Sequence, residues 1–288
     1  MRHPLLDVPH IEETPGTYVK AAGEVFAVFG EQTQDSGNIS YGVRVGDGRF
    51  FVKTAGRPDD PRPYSPHPTR VALLWNAARL SRVSNHPALP RLYNTIESPD
   101  GPLLVYEWVD GDLLRSVLQR FRGLPSDEIL QALDVIFEVH RQLAQSGWIA
   151  VDFYDGSLIY DFERQDLHLV DLDNYQEGPF TNGMGRMFGS TRFMAPEEFQ
   201  LGAPIDERTN AFTMGRTISV LLPTTRWSAN PSGGPTPCTR SCAAPAGRAG
   251  TNASNRWPPS APPGLVPGIY NSERFSALPP WAATRVFA

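Results

Sequence analysis

Four aspartates and one lysine supply the chemistry this sequence could perform. Asp152 and Asp155 lie in the run Val151-Asp152-Phe153-Tyr154-Asp155-Gly156-Ser157-Leu158-Ile159, and Asp171 and Asp173 lie in Leu169-Val170-Asp171-Leu172-Asp173. Lys53 ends the run Phe51-Val52-Lys53, far upstream. Carboxylate oxygens are the ligands that a hard cation such as Mg²⁺ prefers. A carboxylate ionised at neutral pH can accept or orient a hydroxyl proton, and a lysine can neutralise the dense charge of phosphate. Taken alone, each has a plainer reading: a loop aspartate is ordinarily a solvated turn residue, and a strand lysine an exposed one. A third run downstream, Gly189-Ser190-Thr191-Arg192-Phe193-Met194-Ala195-Pro196-Glu197, makes three ordered elements, and their order argues against coincidence.

Strands must carry the lysine. Val25 to Phe29, Ile39 to Val45 and Phe50 to Lys53 are short apolar runs that read as strands, and Asp47-Gly48 is the expected hairpin turn between the second and third. After a Pro-rich loop from Arg57 to Pro68, Val71, Leu74, Ala78 and Val83 recur at helical spacing. Leu89 to Thr95 and Leu103 to Tyr106 add two strands around Pro99-Asp100-Gly101. A five-stranded sheet with one helix follows. Beyond Gly111 the period becomes helical, and the clearest helix opens at Ser126, an N-cap residue followed by Asp127 and Glu128, carries Ile129, Leu133, Ile136, His140 and Leu143 on one stripe, and closes at Gly147.

These runs resemble the motif set of the eukaryotic-like serine/threonine protein kinases. The Val151–Ile159 run is similar to the catalytic loop H-R-D-x-x-x-x-N, with Asp152 at the Asp position and Ser157 at the Asn position. Leu169–Asp173 resembles the strand entering D-F-G, and Gly189–Glu197 the G-T-x-x-Y-M-A-P-E run. The resemblance implies an α+β, two-lobed protein-kinase-like fold, with a five-stranded antiparallel small lobe and a mainly helical, incomplete large lobe. It implies Asp152 and Lys53 as catalytic residues, ATP as cofactor, and Mg²⁺ held by Asp171 with Ser157 or Asp155. Gly37, Ser40 and Gly42 would form the glycine-rich loop. Leu104 to Leu113 would be the hinge, with Tyr106 as gatekeeper, adenine on the main chain of Glu107 and Val109, and ribose near Asp112.

Departures from the family pattern are many. Ser40 stands for the third glycine, and Ala150-Val151 for the His-Arg before the catalytic Asp. Tyr154 replaces a lysine, Asp173 replaces the D-F-G glycine, and Asn210 the Asp that braces the catalytic loop. No acid lies between Thr69 and Asn85, so Asn76 or Ala77 falls where the partner glutamate of Lys53 belongs. The ordinary lysine–glutamate pair is therefore expected to be absent, and Asp155 and Asp173 read as turn caps. An arginine partner for Glu197 cannot be placed.

The chain has 288 residues, 40% hydrophobic, with a net charge of −5. Residues 223–288 hold six arginines against the single acid Glu273, leaving the body strongly acidic and unlike a nucleic-acid binder. The only cysteines are Cys238 and Cys242, so no disulfide framework or zinc site is expected in the body. No stretch reads as a signal peptide or membrane span, which points to the cytoplasm. The expected organisation is an extension over 1–22, a small lobe over 23–110, a partial large lobe over 111–222 and a Pro-rich tail over 223–288. With 12 prolines in 66 residues and no period, that tail reads as disordered and as something other than the fold's natural continuation. The expected activity is transfer of the ATP γ-phosphoryl group to Ser or Thr of a protein substrate. The alternatives are a pseudokinase scaffold and a small-molecule phosphotransferase of the same fold.

Overall fold

Strand-forming runs in the first hundred residues pair into one sheet, which presents Lys53 on one of its faces. The computed structural model describes residues 2–30, 36–60 and 65–223. Helix α1 (Pro15–Ala22) leads into strands β1 (Glu24–Phe29), β2 (Ile39–Val45) and β3 (Gly48–Thr54). Helix α2 (His67–Val83) precedes β4 (Leu92–Ile96) and β5 (Leu103–Glu107). The five strands pair antiparallel in the order β1-β2-β3-β5-β4. The β2–β3 turn differs by one residue from expectation. Val45 pairs with Gly48, so the loop is Gly46-Asp47, and Gly46 takes the positive φ of 59° that such a loop demands.

Alternation along β3 divides the sheet into two faces. Phe50 and Val52 point to one side and join Tyr41, Val43, Leu103 and Val105 in a core completed by Leu5, Ile11 and Val19. Residues 1–22 were expected to extend from the fold, but 2–22 supply a layer over this face. Asn94 Nδ2 donates to the carbonyls of Leu5 and Val8 at 3.0 and 2.9 Å, and Tyr18 Oη donates to Pro4 O. On the opposite face lie Lys53, Phe51 and Leu104, where α2 buries Leu74, Ala77 and Ala78.

The remainder is mainly helical. Strand β6 (Asp112–Leu113) is followed by α3 (Leu114–Arg122), α4 (Ser126–Gln145), β7 (Trp148–Ile149), β8 (Leu158–Asp161) and β9 (Asp166–Leu169). Then come β10 (Gln176–Glu177), β11 (Phe180–Thr181), β12 (Pro204–Ile205) and α5 (Glu207–Leu221). The stripe Ile129, Leu133, Ile136, Val139 and Leu143 of α4 buries against Leu114, Phe121, Leu158 and Leu221. Pro125, not Ser126, occupies the N-cap position of α4, without a side-chain cap bond. Short antiparallel pairs β6-β8-β9, β7-β10 and β11-β12 fold the intervening loops onto this core. The described residues are therefore α+β, with five α-helices. Among them, no helix is long and apolar enough to cross a membrane. The Pro-rich tail lies outside the described residues after Pro223.

Leu5 is fully buried beneath the sheet. Leu5→Ala should cost about 2–5 kcal/mol of folding free energy in urea unfolding. A change within ~0.5 kcal/mol would mean that the N-terminal layer adds nothing to the sheet.

Candidate functional site

Lys53 sits on β3 with only 6% of its surface exposed, so its charge must be met by protein groups. Two carboxylates meet it. Nζ lies 2.5 Å from Asp171 Oδ1 and 2.5 Å from Asp173 Oδ2. The carboxylates are inequivalent, because the Asp171 side chain is 59% exposed and that of Asp173 only 8%. Burial by itself would lower the Lys53 pKa, but the two anions more than offset it and raise it above the ordinary lysine value. The charge of Lys53 holds Asp171 below the usual carboxylate range, whereas burial pushes Asp173 up. Asp173, expected as a turn cap, is instead a buried counter-ion of Lys53.

Strands β8 and β9 form the hairpin that brings the loop residues together. Leu158 pairs with Leu169, and the next bond, Val170 N to Ser157 O at 2.9 Å, sets Ser157 beside the residue preceding Asp171. Ser157 Oγ is buried with no hydrogen-bond partner among the described residues. Asp152 accepts from Asn174 Nδ2 at 3.0 Å. Asp152 and Asp171 both take left-handed backbone, φ 61° and 60°, which among the described non-glycine residues is otherwise seen only at Gln165. Such conformations are costly and persist where surrounding structure enforces them. Tyr154 is half-buried, and burial first, then the charges of Asp171 and Asp152, raise its phenol pKa. It therefore lies near both aspartates.

Asp155, expected beside the cation, is committed elsewhere. Both its oxygens accept from Arg192 Nη2, at 2.7 and 2.9 Å, and its side chain is 1% exposed. This pair ties the Gly189–Glu197 run to the Asp152 loop. Glu197 accepts from Thr209 Oγ1 at 2.7 Å, so a hydroxyl stands where an arginine was sought. Asn210 braces the chain entering the Asp152 loop by accepting from Ala150 N at 2.7 Å and donating to Trp148 O at 3.3 Å.

Segment Asp171–Tyr175 is held from every side. Asn76 on α2 donates through Nδ2 to the carbonyls of Asp173 and Tyr175, at 2.9 and 2.6 Å. Ala77 is instead buried in the core, which decides the register left open by the sequence. From α4, His140 Nε2 meets Tyr175 Oη at 2.7 Å, and its other ring nitrogen meets Ile136 O at 2.7 Å. Burial drives the His140 pKa down to about 4, so the ring is neutral at pH 7. Sequence reading missed Asn174 and Tyr175, and read His140 only as part of a helical stripe.

The expected nucleotide-base region is lined by rings. Ser40 is buried and pairs across the sheet with Lys53, and Gly37 turns in the β1–β2 loop with φ 85°. Gly42 lies under two aromatics: a Cβ there would come within 2.7–2.8 Å of Phe26 and Trp108. Phe26 and Trp108 meet edge to face at 4.8 Å, and Phe29 contacts Trp108 and Phe51 at 6.5 and 5.9 Å. Phe51 and Lys53 alternate on the same side of β3. In the segment after β5, the Glu107 N–H donates to Arg91 O, and Trp108 Nε1 donates to Asp110, itself paired with Arg49 through both oxygens. Val109 is half-buried, Asp112 is exposed near Arg120, and Tyr106 is half-buried against the α2 cluster.

No protein-family model matches the chain. Among the described residues, no group of three or more His, Cys, Asp or Glu side chains is arranged to hold a metal unaided. Asp171 offers a largely exposed carboxylate and Ser157 a buried, unpartnered hydroxyl. Both are oxygen donors of the type that suits Mg²⁺, which commonly takes one or two protein ligands and completes its shell with water and phosphate.

Two expectations follow. Arg192→Ala strands the buried Asp155 carboxylate and should cost about 1–3 kcal/mol, partly recovered when Asp155→Ala is added. An additive double variant would show that the pair is not coupled. His140 is neutral in the fold, with a pKa of about 4, whereas an exposed histidine titrates near 6.5. Its contribution is present above about 6.5 and lost as pH falls toward about 4, because protonation then favours the unfolded chain. His140→Phe should flatten that acid limb in urea unfolding measured across the same range.

Proposed function

We propose that this chain is an ATP- and Mg²⁺-dependent phosphotransferase of the protein-kinase kind, acting on Ser or Thr hydroxyls of proteins. The observation that supports it best is the meeting of Lys53 with Asp171 across 118 residues, with Asp152 tied through Asn174 to the same five-residue segment. A lysine, a largely exposed ionised carboxylate and a second carboxylate in enforced backbone are the groups in-line phosphoryl transfer needs. A bound Mg²⁺ supplies charge neutralisation to the phosphates, and Asp171 with Ser157 would hold it. Lys53 offsets phosphate charge, and Asp152 orients the acceptor hydroxyl or takes its proton. Arg192 and Asp155 keep the Gly189–Glu197 run against the Asp152 loop. The Met194-Ala195-Pro196-Glu197 run favours a protein over a small-molecule acceptor.

A second reading, a pseudokinase that serves as a scaffold, is favoured by one feature. Phe26, Phe29, Phe51 and Trp108 fill the sheet face beside Lys53, where a purine would otherwise lie.

Phosphate transfer from radiolabelled ATP to a generic protein substrate separates the two readings. Asp152→Ala should lower the rate about 10²–10⁴-fold. Asp171→Asn should abolish transfer more completely than Ser157→Ala, because it removes a full charge from the cation site. Lys53→Met should raise the ATP requirement and depress turnover. Transfer that is absent from the native chain, or indifferent to Asp152→Ala, would favour the scaffold.

A further inference from the structure

The duties of Lys53, Asp171 and Asp152 do not account for Asp173. It is almost fully buried, its carboxylate touches Lys53, and its main-chain carbonyl is bound by Asn76 from α2. No acid is present on α2, which reaches the segment through Asn76, while the exposed Arg79 pairs with Glu177 beyond it. Lys53 therefore has two partners of different kinds. The side chain of Asp171 is largely exposed, whereas the carboxylate of Asp173 is enclosed.

We propose that Asp173 is a positioning residue, the permanent counter-ion that fixes Lys53 from within its own loop, and that Asn76 locks the loop so that Asp171 is left available. The functional part of this inference rests on the phosphotransferase reading, but its geometric part does not. A lysine held by Asp171 alone would compete with any cation for that carboxylate. With Asp173 in place, Lys53 keeps an anionic partner and a hydrogen bond when Asp171 turns to another ligand. Helix α2 then acts through an amide on main-chain carbonyls, a contact without charge, as expected of a helix that carries no acid. The groups facing Lys53 are Asp171 and Asp173 from the loop, with the neutral phenol of Tyr106 near from β5.

Asp173→Asn is nearly isosteric and tests the proposal in two ways. Acylation of Lys53 by an amine-directed reagent, followed by mass spectrometry at one fixed pH, needs no activity. Lys53 should react at least tenfold faster in Asp173→Asn than in the native chain, Asp173→Glu should restore most of the protection, and Asn76→Ala should fall between. Calorimetric titration of ADP with Mg²⁺ should show at least tenfold weaker binding for Asp173→Asn, with Asp173→Glu partly rescued. In the transfer assay, the Mg²⁺ and ATP requirements should rise while the KM for the protein acceptor stays unchanged. Unchanged Lys53 labelling in a folded Asp173→Asn protein would overturn the proposal. Normal labelling differences with no transfer by the native chain would uphold the positioning role and reject the phosphotransferase reading.

Discussion

A buried ammonium group on β3 is the constraint on which the site depends. An unpaired charge in that position would be too costly to keep, so folding must bring carboxylates to Lys53 from a distant part of the chain. Asp171 and Asp173 answer that demand, and in doing so they join the sheet to the helical region. The pair of contacts has opposite consequences for the two acids. The lysine charge holds the exposed one below the usual carboxylate range, and burial pushes the enclosed one up.

The same five residues collect the other anchors of the site. Asn174 reaches Asp152, Tyr175 reaches His140 on α4, and two carbonyls are taken by Asn76 on α2. This density of contacts explains how non-glycine residues tolerate left-handed backbone at Asp171 and Asp152, since several independent bonds over-determine the loop. The site is thus prearranged around one charged cluster by hydrogen bonds from uncharged side chains. No phosphorylated side chain is needed for any of these contacts.

Neutral polar groups stand at several places where the kinase resemblance led one to look for charge. Thr209 serves Glu197, Asn210 braces the loop entry through one amide, and Asn76 grips main chain. Each substitute supplies directional hydrogen bonds without a buried charge, which avoids the desolvation cost of another ion pair. The ion pair of Asp155 with Arg192 fastens the Asp152 loop to the Gly189–Glu197 run.

Local pattern determined much of this protein. Apolar alternation marks the five strands, the stripe from Ile129 to Leu143 marks α4, and motif order singles out Lys53, Asp152 and Asp171. Those features are set by nearest neighbours along the chain, where side-chain period and turn chemistry act directly. Tertiary structure alone decided that residues 2–22 cover the sheet, that Asp155 faces Arg192, that Asp173 faces Lys53 and that Gly42 lies beneath aromatic rings. Partners such as Lys53 and Asp171 stand 118 residues apart, and no local spacing records which of several nearby aspartates will point inward. That choice belongs to packing and to the cost of leaving a buried charge unmatched.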